Sequence, residues 1–272
     1  MGNERKAIFE TEPYWYILNR NLKTVSELQG FRDIDNYLTW MFGKRLSPQA
    51  NLKSTSCNFL DLGAGWGRST YDLVNTSCAW LMPLTVYGYD KYFLPNKPFE
   101  SDPYVFDKVV KNWVKDDITN LSLYYPEGYF DKIVSSCAFG LYAESTEALE
   151  GQLVAIKEVL GPKGLFRFQL SPAQGRYIPN PNYRGRNYEP EMVLDPENYD
   201  ADSDFLVETP FERFKYYKVK CLRIIEYLGL DYSLFTSVDW SSDYGHRSHY
   251  ITCEVRKRDD CQSSSKNDLK NV

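Results

Sequence analysis

Residues 58–67 read Asn-Phe-Leu-Asp-Leu-Gly-Ala-Gly-Trp-Gly, an apolar strand that runs without a spacer into a turn with glycine at every second position. Glycine lets the backbone turn sharply and approach a bound molecule closely. The residues after Gly67 read as a helix, and a helix N-terminus presents unpaired N–H groups. A glycine-rich turn between a first strand and a helix is where doubly wound sheets hold nucleotides, beside the carboxyl ends of the strands. This one segment therefore predicts an α/β sheet with a ligand site at its carboxyl edge.

The flanking pattern agrees. Strand candidates are Asn58–Leu62, Thr85–Tyr89, Asn112–Lys115, Phe130–Ser135 and Leu165–Leu170. Between the last two, Leu149, Leu153, Ile156, Val159 and Leu160 share one helical face, with Ser145 placed to cap the start and Gly161-Pro162 to stop it. Strands alternating with helices predict a mostly parallel sheet with helices on both faces. Upstream, Ile34, Tyr37, Leu38 and Met41 recur at helical spacing, and Gly43 and Pro48 end that helix. Downstream, a helix carries Val219, Leu222, Ile225 and Leu228, followed by strand-like runs near Tyr232–Trp240 and Ser248–Val255. The expected organisation is an N-terminal helical cap over 1–50, a main domain over 51–258 and a polar, disordered tail over 259–272. The main domain carries an insertion over about 171–212, whose prolines and tyrosines break the rhythm. A structureless stretch of that length inside a compact domain reads as a functional lid.

Charge and composition narrow the function. The chain has 32 Lys and Arg against 37 Asp and Glu, a formal net charge of −5. Nucleic-acid binding draws most of its affinity from neutralised phosphates and needs a basic patch. The densest basic run, Arg256-Lys257-Arg258, is followed at once by Asp259-Asp260 and reads as a solvated strand end. No nucleic-acid partner is expected. No run of about 18 apolar residues exists for a membrane span, and the polar start Met1-Gly2-Asn3-Glu4 offers no secretion signal. A cytoplasmic protein without a membrane partner is the expectation. The six cysteines form no C-x-x-C pair, so free thiols and no metal site are expected. Tyrosine, at 22 residues, offers ring area with a polar tip, which suits the wall of a small-molecule pocket.

The spacing after the first strand separates two nucleotide-binding readings. The dinucleotide fingerprint G-x-G-x-x-G needs glycine at 68, which is Arg68. The observed Asp61-x-Gly63-x-Gly65-x-Gly67 instead resembles the first motif of class I, Rossmann-like S-adenosylmethionine-dependent methyltransferases. The resemblance spans roughly residues 58–255. It implies a seven-stranded sheet with a reversed last strand, S-adenosyl-L-methionine as cofactor, and Asp61, Gly63, Ala64, Gly65 and Gly67 cradling it. Asp90, with Lys91 beside it, stands where the family binds the two ribose hydroxyls, and a carboxylate, being acceptor-only, can take both hydroxyl protons. Asp116, Asp117 and Ile118 resemble the third motif. There one Asp accepts from the adenine amino group and the apolar residue covers the ring; either Asp fits.

Phe130–Ala138 resembles the fourth motif, with Ser135 and Ser136 near the reacting centre. Some members carry Asn or Asp, Pro, Pro and an aromatic residue there and act on nucleobase or glutamine nitrogens. The Ser135-Ser136-Cys137-Ala138 found instead fits small-molecule members. Leu160-Gly161-Pro162-Lys163-Gly164 resembles the turn into the fifth strand. The resulting expectation is methyl transfer to an O, N or C atom of a small-molecule acceptor, by a monomer or homodimer. His246 and His249 are the candidates for a base near neutral pH, with strand packing as the plainer role for each. Tyr14, Tyr16, Tyr142, Tyr177 and Tyr183 are the candidate acceptor walls. The rival readings are a protein methyltransferase of the same fold and a non-catalytic cofactor-binding scaffold.

Overall fold

The computed structural model describes residues 21–42, 56–79, 83–98, 101–136, 138–139, 146–174, 205–208, 213–216, 218–236, 240–241 and 247–258. Among the described residues two helices precede the sheet, α1 (Leu22–Leu28) and α2 (Ile34–Phe42). The main sheet begins with β1 (Cys57–Leu62), α3 (Arg68–Ala79), β2 (Leu84–Asp90), α4 (Pro103–Lys111) and β3 (Trp113–Lys115). A 3₁₀ turn (Ile118–Asn120) and the short α5 (Leu121–Tyr124) lead to β4 (Phe130–Ser135), α6 (Thr146–Val159) and β5 (Leu160–Gln174). Next come β6 (Phe205–Glu208), β7 (Arg213–Tyr216), α7 (Lys218–Tyr227), β8 (Leu230–Thr236), β9 (Trp240–Ser241) and β10 (Arg247–Lys257).

The strand order is β3-β2-β1-β4-β5-β10-β8, with β9 paired to β10 outside that path. Strands β1 to β5 are mutually parallel where they pair, and β10 runs antiparallel to both β5 and β8. β10 is thus the reversed strand, inserted between β5 and β8. The order turns back between β1 and β4, so the topological switch point lies at the carboxyl end of β1, where the glycine turn begins.

Two deviations from the sequence reading are informative. β5 does not stop at Leu170 but continues through Ser171-Pro172-Ala173 to Gln174. Pro172 is accommodated opposite Tyr250, beside a register shift between His249 and Tyr250, the kind of irregularity that tolerates a residue without an N–H. Within the span read as a lid lies β6, which pairs antiparallel with β7 just beyond its end; residues 175–204 and 209–212 of that span lie outside the described residues.

Strand alternation builds one core on each face of the sheet. Leu60, Leu62, Tyr89, Ile133, Phe166 and Phe168 face α6 and α7, where Leu149, Leu153, Ile156 and Ile225 complete the layer. Phe59, Val86 and Val134 face the other way, against α1 to α4, through Leu22, Val25, Tyr37, Leu38, Leu73 and Val109. Burying each large side chain contributes on the order of 1.5–3 kcal/mol. The periodic helix around Tyr37 and Leu38 is therefore the lid of the second core.

Polar contacts fix that N-terminal pair to the sheet's carboxyl edge. Asn21 caps α1 by accepting from the Thr24 N–H at 2.9 Å. At its other end, the Leu28 carbonyl accepts from Gln169 Nε2 at 2.8 Å and Thr252 Oγ1 at 3.3 Å. From α2, Trp40 Nε1 donates to Glu254 Oε2 at 2.7 Å, and the same oxygen pairs with the buried Arg167. The Arg167 guanidinium lies over the rings of Phe31 and Phe235, at 4.2 and 4.5 Å.

One contact inside the sheet is unusually close. Gly88, in the middle of β2, lies under the Trp113 ring: a Cβ at 88 would stand 2.1 Å from Trp113 Cε3. Gly88→Ala should therefore destabilise the fold by about 1–3 kcal/mol in urea denaturation. Adding Trp113→Leu removes the clash, so the double variant should be less destabilised than the sum of the two single changes. Strict additivity would contradict the packing assigned to Trp113.

Candidate functional site

The glycine turn is held from below. Asp61, the next-to-last residue of β1, is buried, and its Oδ2 accepts from both Ser69 Oγ and Thr70 Oγ1 at 2.7 Å. Both hydroxyls belong to the first turn of α3, so the carboxylate ties the strand to the helix across the turn. Burial raises the Asp61 pKa above the carboxylate norm, and the two hydroxyl donors work against that rise. The carboxylate that closes the motif is thus committed to the turn's own architecture.

The glycines are required by sterics as well as by backbone conformation. Gly63 and Gly67 have φ of 74° and 76°, in the left-handed region that disfavours side chains. A Cβ at Gly63 would meet Ala138 Cβ at 2.1 Å, and one at Gly67 would meet Trp113 Cζ3 at 2.8 Å. Ala138, in the segment after β4, and Trp113, at the start of β3, therefore wall the turn from two sides.

Asp90 ends β2 beside this turn. It is 7% exposed, and its Oδ2 accepts the Gly65 N–H at 2.9 Å. Its Oδ1 accepts the N–H groups of Tyr92 at 2.8 Å and Phe93 at 3.0 Å. Burial pushes the Asp90 carboxyl up to about 6, against the three N–H donors, and the Asp61 charge adds to the rise. The turn also leans on β2 directly, since Gly63 and Ala64 both donate to the Tyr89 carbonyl, at 2.7 and 3.2 Å.

The two acids after β3 point to different neighbours. Asp117 Oδ2 pairs with Lys91 Nζ at 2.7 Å, while its Oδ1 accepts from Thr119 N and Oγ1 and so caps the 3₁₀ turn. Burial works to raise Asp117, but Lys91 and Thr119 outweigh it and hold the carboxyl below its ordinary value. Asp116 turns towards α5, accepting from Tyr124 OH at 2.7 Å and Asn120 Nδ2 at 3.0 Å, and these donors lower its pKa. The carboxylate joined to the residue after Asp90 is therefore that of Asp117. Ile118 beside it is half-buried against the first core.

At the end of β4, Ser135 is fully buried and its Oγ accepts the Phe139 N–H at 2.9 Å. Its carbonyl accepts from Gln29 Nε2 at 3.1 Å, and Ser136 Oγ bonds the same nitrogen at 3.0 Å. The structure thus gathers Asp61, Gly63, Ala64, Gly65, Gly67, Asp90, Lys91, Asp117, Ile118, Ser135 and Ser136 along the carboxyl edge of β1 to β4, with Asp116 facing outward from it. Tyr14, Tyr16, Tyr142, Tyr177, Tyr183 and His246 lie outside the described residues. His249 is described by its backbone alone, in β10 opposite Gln174.

Four residues of this edge escape the sequence reading. Ser69 and Thr70 carry a signal, two hydroxyl residues in the first turn after the glycines. Trp113 has an indirect one, since a glycine inside a strand marks a close approach. Gln29 has none, lying 106 residues from the strand end it touches. Among the described residues no group of His, Cys, Asp and Glu could hold a metal, and no helix is long and apolar enough to cross a membrane. Cys57, Cys78, Cys221 and Cys253 are free thiols.

Comparison with solved structures places this architecture. The chain is similar to 1,6-didemethyltoxoflavin-N1-methyltransferase of Burkholderia thailandensis, solved with 1,6-didemethyltoxoflavin and S-adenosylhomocysteine. The TM-score is 0.53 at 15% identity, covering 95% of this chain and 91% of that one. It is also similar to the glycopeptide N-methyltransferase MtfA complexed with S-adenosylhomocysteine, with a TM-score of 0.51 at 17% identity, covering 91% of this chain and 98% of that one. No family model and no curated protein sequence matches the chain. The fold is the Rossmann-like class I methyltransferase fold, as its strand order and single reversed strand already indicate.

The role of Ser69 and Thr70 yields a pH-dependent prediction. Because the folded-state pKa of Asp61 is raised, its ionised form penalises the fold above that pKa, and the penalty is relieved as pH falls through it. Ser69→Ala with Thr70→Val removes two donors and enlarges the penalty. The double variant should lose about 1–3 kcal/mol at about pH 8 in urea denaturation, and the difference from the parent should shrink towards about pH 5. A loss independent of pH would contradict the role given to Asp61.

Proposed function

We propose that this chain is an S-adenosylmethionine-dependent methyltransferase that acts on a small-molecule acceptor. The observation that carries this reading is the Asp90 carboxylate, held by three backbone N–H groups at the lip of the glycine turn. A carboxylate has about four acceptor sites. With three N–H groups bound, about one acceptor site remains for a hydroxyl arriving at the carboxyl edge, which a ribose can fill.

The neighbouring residues fit the rest of the cofactor. At its three positive-φ positions, Gly63, Gly65 and Gly67, the turn carries no side chain to obstruct a close approach. Asp117 offers an acceptor on the β3 side, next to the half-buried apolar Ile118, as an aminopurine ring requires. Both structural neighbours hold S-adenosylhomocysteine, the demethylated product. The cofactor supplies a methyl group already activated on a sulfonium, so the acceptor's lone pair takes the carbon while the S–C electrons return to sulfur. What the chain must contribute is alignment and exclusion of water. Orientation of this kind can lower a barrier by about 7–11 kcal/mol. Ser135, fully buried and bonded to Phe139, and the crowding of Gly63 by Ala138 make the β4 side of the site a fixed wall.

A small-molecule acceptor is supported by the net charge of −5 and by Ser135-Ser136-Cys137-Ala138 in the fourth motif position. The first structural neighbour, solved with a small molecule and cofactor product together, agrees with it. A cytoplasmic location accords with the free thiols of the described residues. His246 and His249 stay the proposed source of a base for acceptors that must lose a proton.

Calorimetric titration with S-adenosylhomocysteine tests the cofactor assignment. Micromolar binding with none for NAD is expected, and Asp90→Ala should weaken it by more than about tenfold, or about 1.4 kcal/mol. Unchanged affinity in that variant would remove Asp90 from the site. Hydroxyl donors favour the ionised carboxylate and so lower the Asp90 pKa on binding. Titrations at about pH 6, in buffers of different ionisation enthalpy, should show proton release that vanishes by about pH 8. Proton uptake at the lower pH would contradict the ribose assignment.

A further inference from the structure

Lys91 follows Asp90 directly, and its side chain crosses to the end of the neighbouring strand. β2 and β3 run in step there: Asp90 pairs with Lys115 in the register, and the Asp116 N–H donates to the Asp90 carbonyl at 3.1 Å. Lys91 Nζ lies 2.7 Å from Asp117 Oδ2, and the two side chains are 51% and 31% exposed. Both groups therefore keep surface that a ligand can reach. An ion pair this exposed contributes little to folding, because water screens it and two side chains lose freedom.

Asp117 does not need Lys91 to stay in place. Its Oδ1 accepts the Thr119 N–H at 3.1 Å and the Thr119 hydroxyl at 2.9 Å, and its carbonyl accepts from Tyr89 OH at 2.7 Å. A carboxylate has about four acceptor sites, so with Lys91 on Oδ2 roughly one remains, on that same oxygen. Lys91 has capacity left as well. Its ammonium carries three N–H donors. One serves Asp117, and Tyr92, whose ring centroid is 5.6 Å from Nζ, takes at most one more. The bond to Asp117 raises the Lys91 pKa, so the group stays a pure donor.

An acceptor and a donor 2.7 Å apart match one edge of an aminopurine. On that edge an amino group, which donates, and an unprotonated ring nitrogen, which accepts, are bonded to one carbon. C–N bonds of about 1.33 Å place those two nitrogens roughly 2.3 Å apart. Two side-by-side hydrogen bonds, to Asp117 Oδ2 and from Lys91 Nζ, fit that spacing, and both are strengthened by the charge on the protein side. An oxopurine reverses the pattern, since its carbonyl accepts and its ring N–H donates. It would set an oxygen against a carboxylate and an N–H against an ammonium, which is repulsion at both positions.

We propose that Lys91 Nζ donates to the ring nitrogen beside the amino group of the cofactor's adenine, so that Lys91 and Asp117 together select adenine over an oxopurine. The inference rests on the S-adenosylmethionine reading above and adds to it a residue that reads the base. The role is direct, because Thr119 and Tyr89 already hold Asp117 and leave Lys91 no positioning task.

Titration calorimetry on the full chain compares S-adenosylhomocysteine with its 1-deaza analogue, in which C–H replaces that ring nitrogen, and with its hypoxanthine counterpart. The parent chain should bind each of the two analogues at least about tenfold more weakly than S-adenosylhomocysteine. Equal affinity for either analogue overturns the proposal, whether or not any variant folds. Lys91→Met should lose about tenfold for S-adenosylhomocysteine and less than about twofold for the 1-deaza analogue. Unchanged affinity for S-adenosylhomocysteine in that variant overturns the proposal. So does an equal loss for both ligands, which is the mark of a lost charge or a displaced Asp117. Failure of the unmodified chain to bind S-adenosylhomocysteine would instead remove the cofactor reading itself, and the inference with it.

Discussion

The Asp90 carboxylate bonds to the Gly65 N–H on one side and to the Tyr92 and Phe93 N–H groups on the other. Leaving a buried carboxylate without such donors costs several kcal/mol. The glycine turn and the loop after β2 must therefore converge on this one side chain. Asp61 repeats the device at the end of β1, holding Ser69 and Thr70 at the start of α3. Two buried acids thus draw the turn, the helix and the second strand into one rigid corner. Their mutual repulsion contributes to the raised Asp90 pKa, and a corner of that kind favours ligands that bring hydrogen-bond donors.

The same corner shows why the glycines are demanded from more than one direction. Positive φ at Gly63 and Gly67 is only part of the requirement, since Ala138 and Trp113 also occupy the space a side chain would need. Trp113 presses on Gly88 as well, so one ring couples β2, β3 and the turn. Its Nε1 donates to the Phe93 carbonyl, whose own N–H serves Asp90. Backbone close to a ligand and backbone close to a tryptophan are, at this edge, the same stretch of chain.

Much of this was legible in the sequence because it is local. The Asp61–Gly67 segment writes a strand, a turn and a helix start in consecutive residues, and the short apolar runs Asn58–Leu62, Thr85–Tyr89 and Phe130–Ser135 stand out between helical stretches. The helix of Ile34, Tyr37, Leu38 and Met41 was readable by its period, but not where it docks. That depends on Trp40 meeting Glu254, 214 residues away. The different settings of Asp116 and Asp117 were equally invisible, because Tyr124 and Lys91 reach the two carboxylates from different elements. The end of β5 was misplaced at Leu170 because Pro172 reads as a strand breaker, and the register shift in β10 that accommodates it leaves no mark in β5 itself. Gln29 could not be found at all, since nothing in its neighbours along the chain distinguishes it from an ordinary helix-end glutamine.

The account stands or falls on where the cofactor sits, and amide hydrogen exchange with and without S-adenosylhomocysteine locates it directly. Protection should rise in 63–67, 90–93 and 116–118, the three segments that meet at Asp90, while 160–164 at the opposite end of the sheet stays unchanged. No change at 63–67 and 90–93, or protection confined to segments away from that edge, would contradict the assignment of this corner as the methyl-donor site.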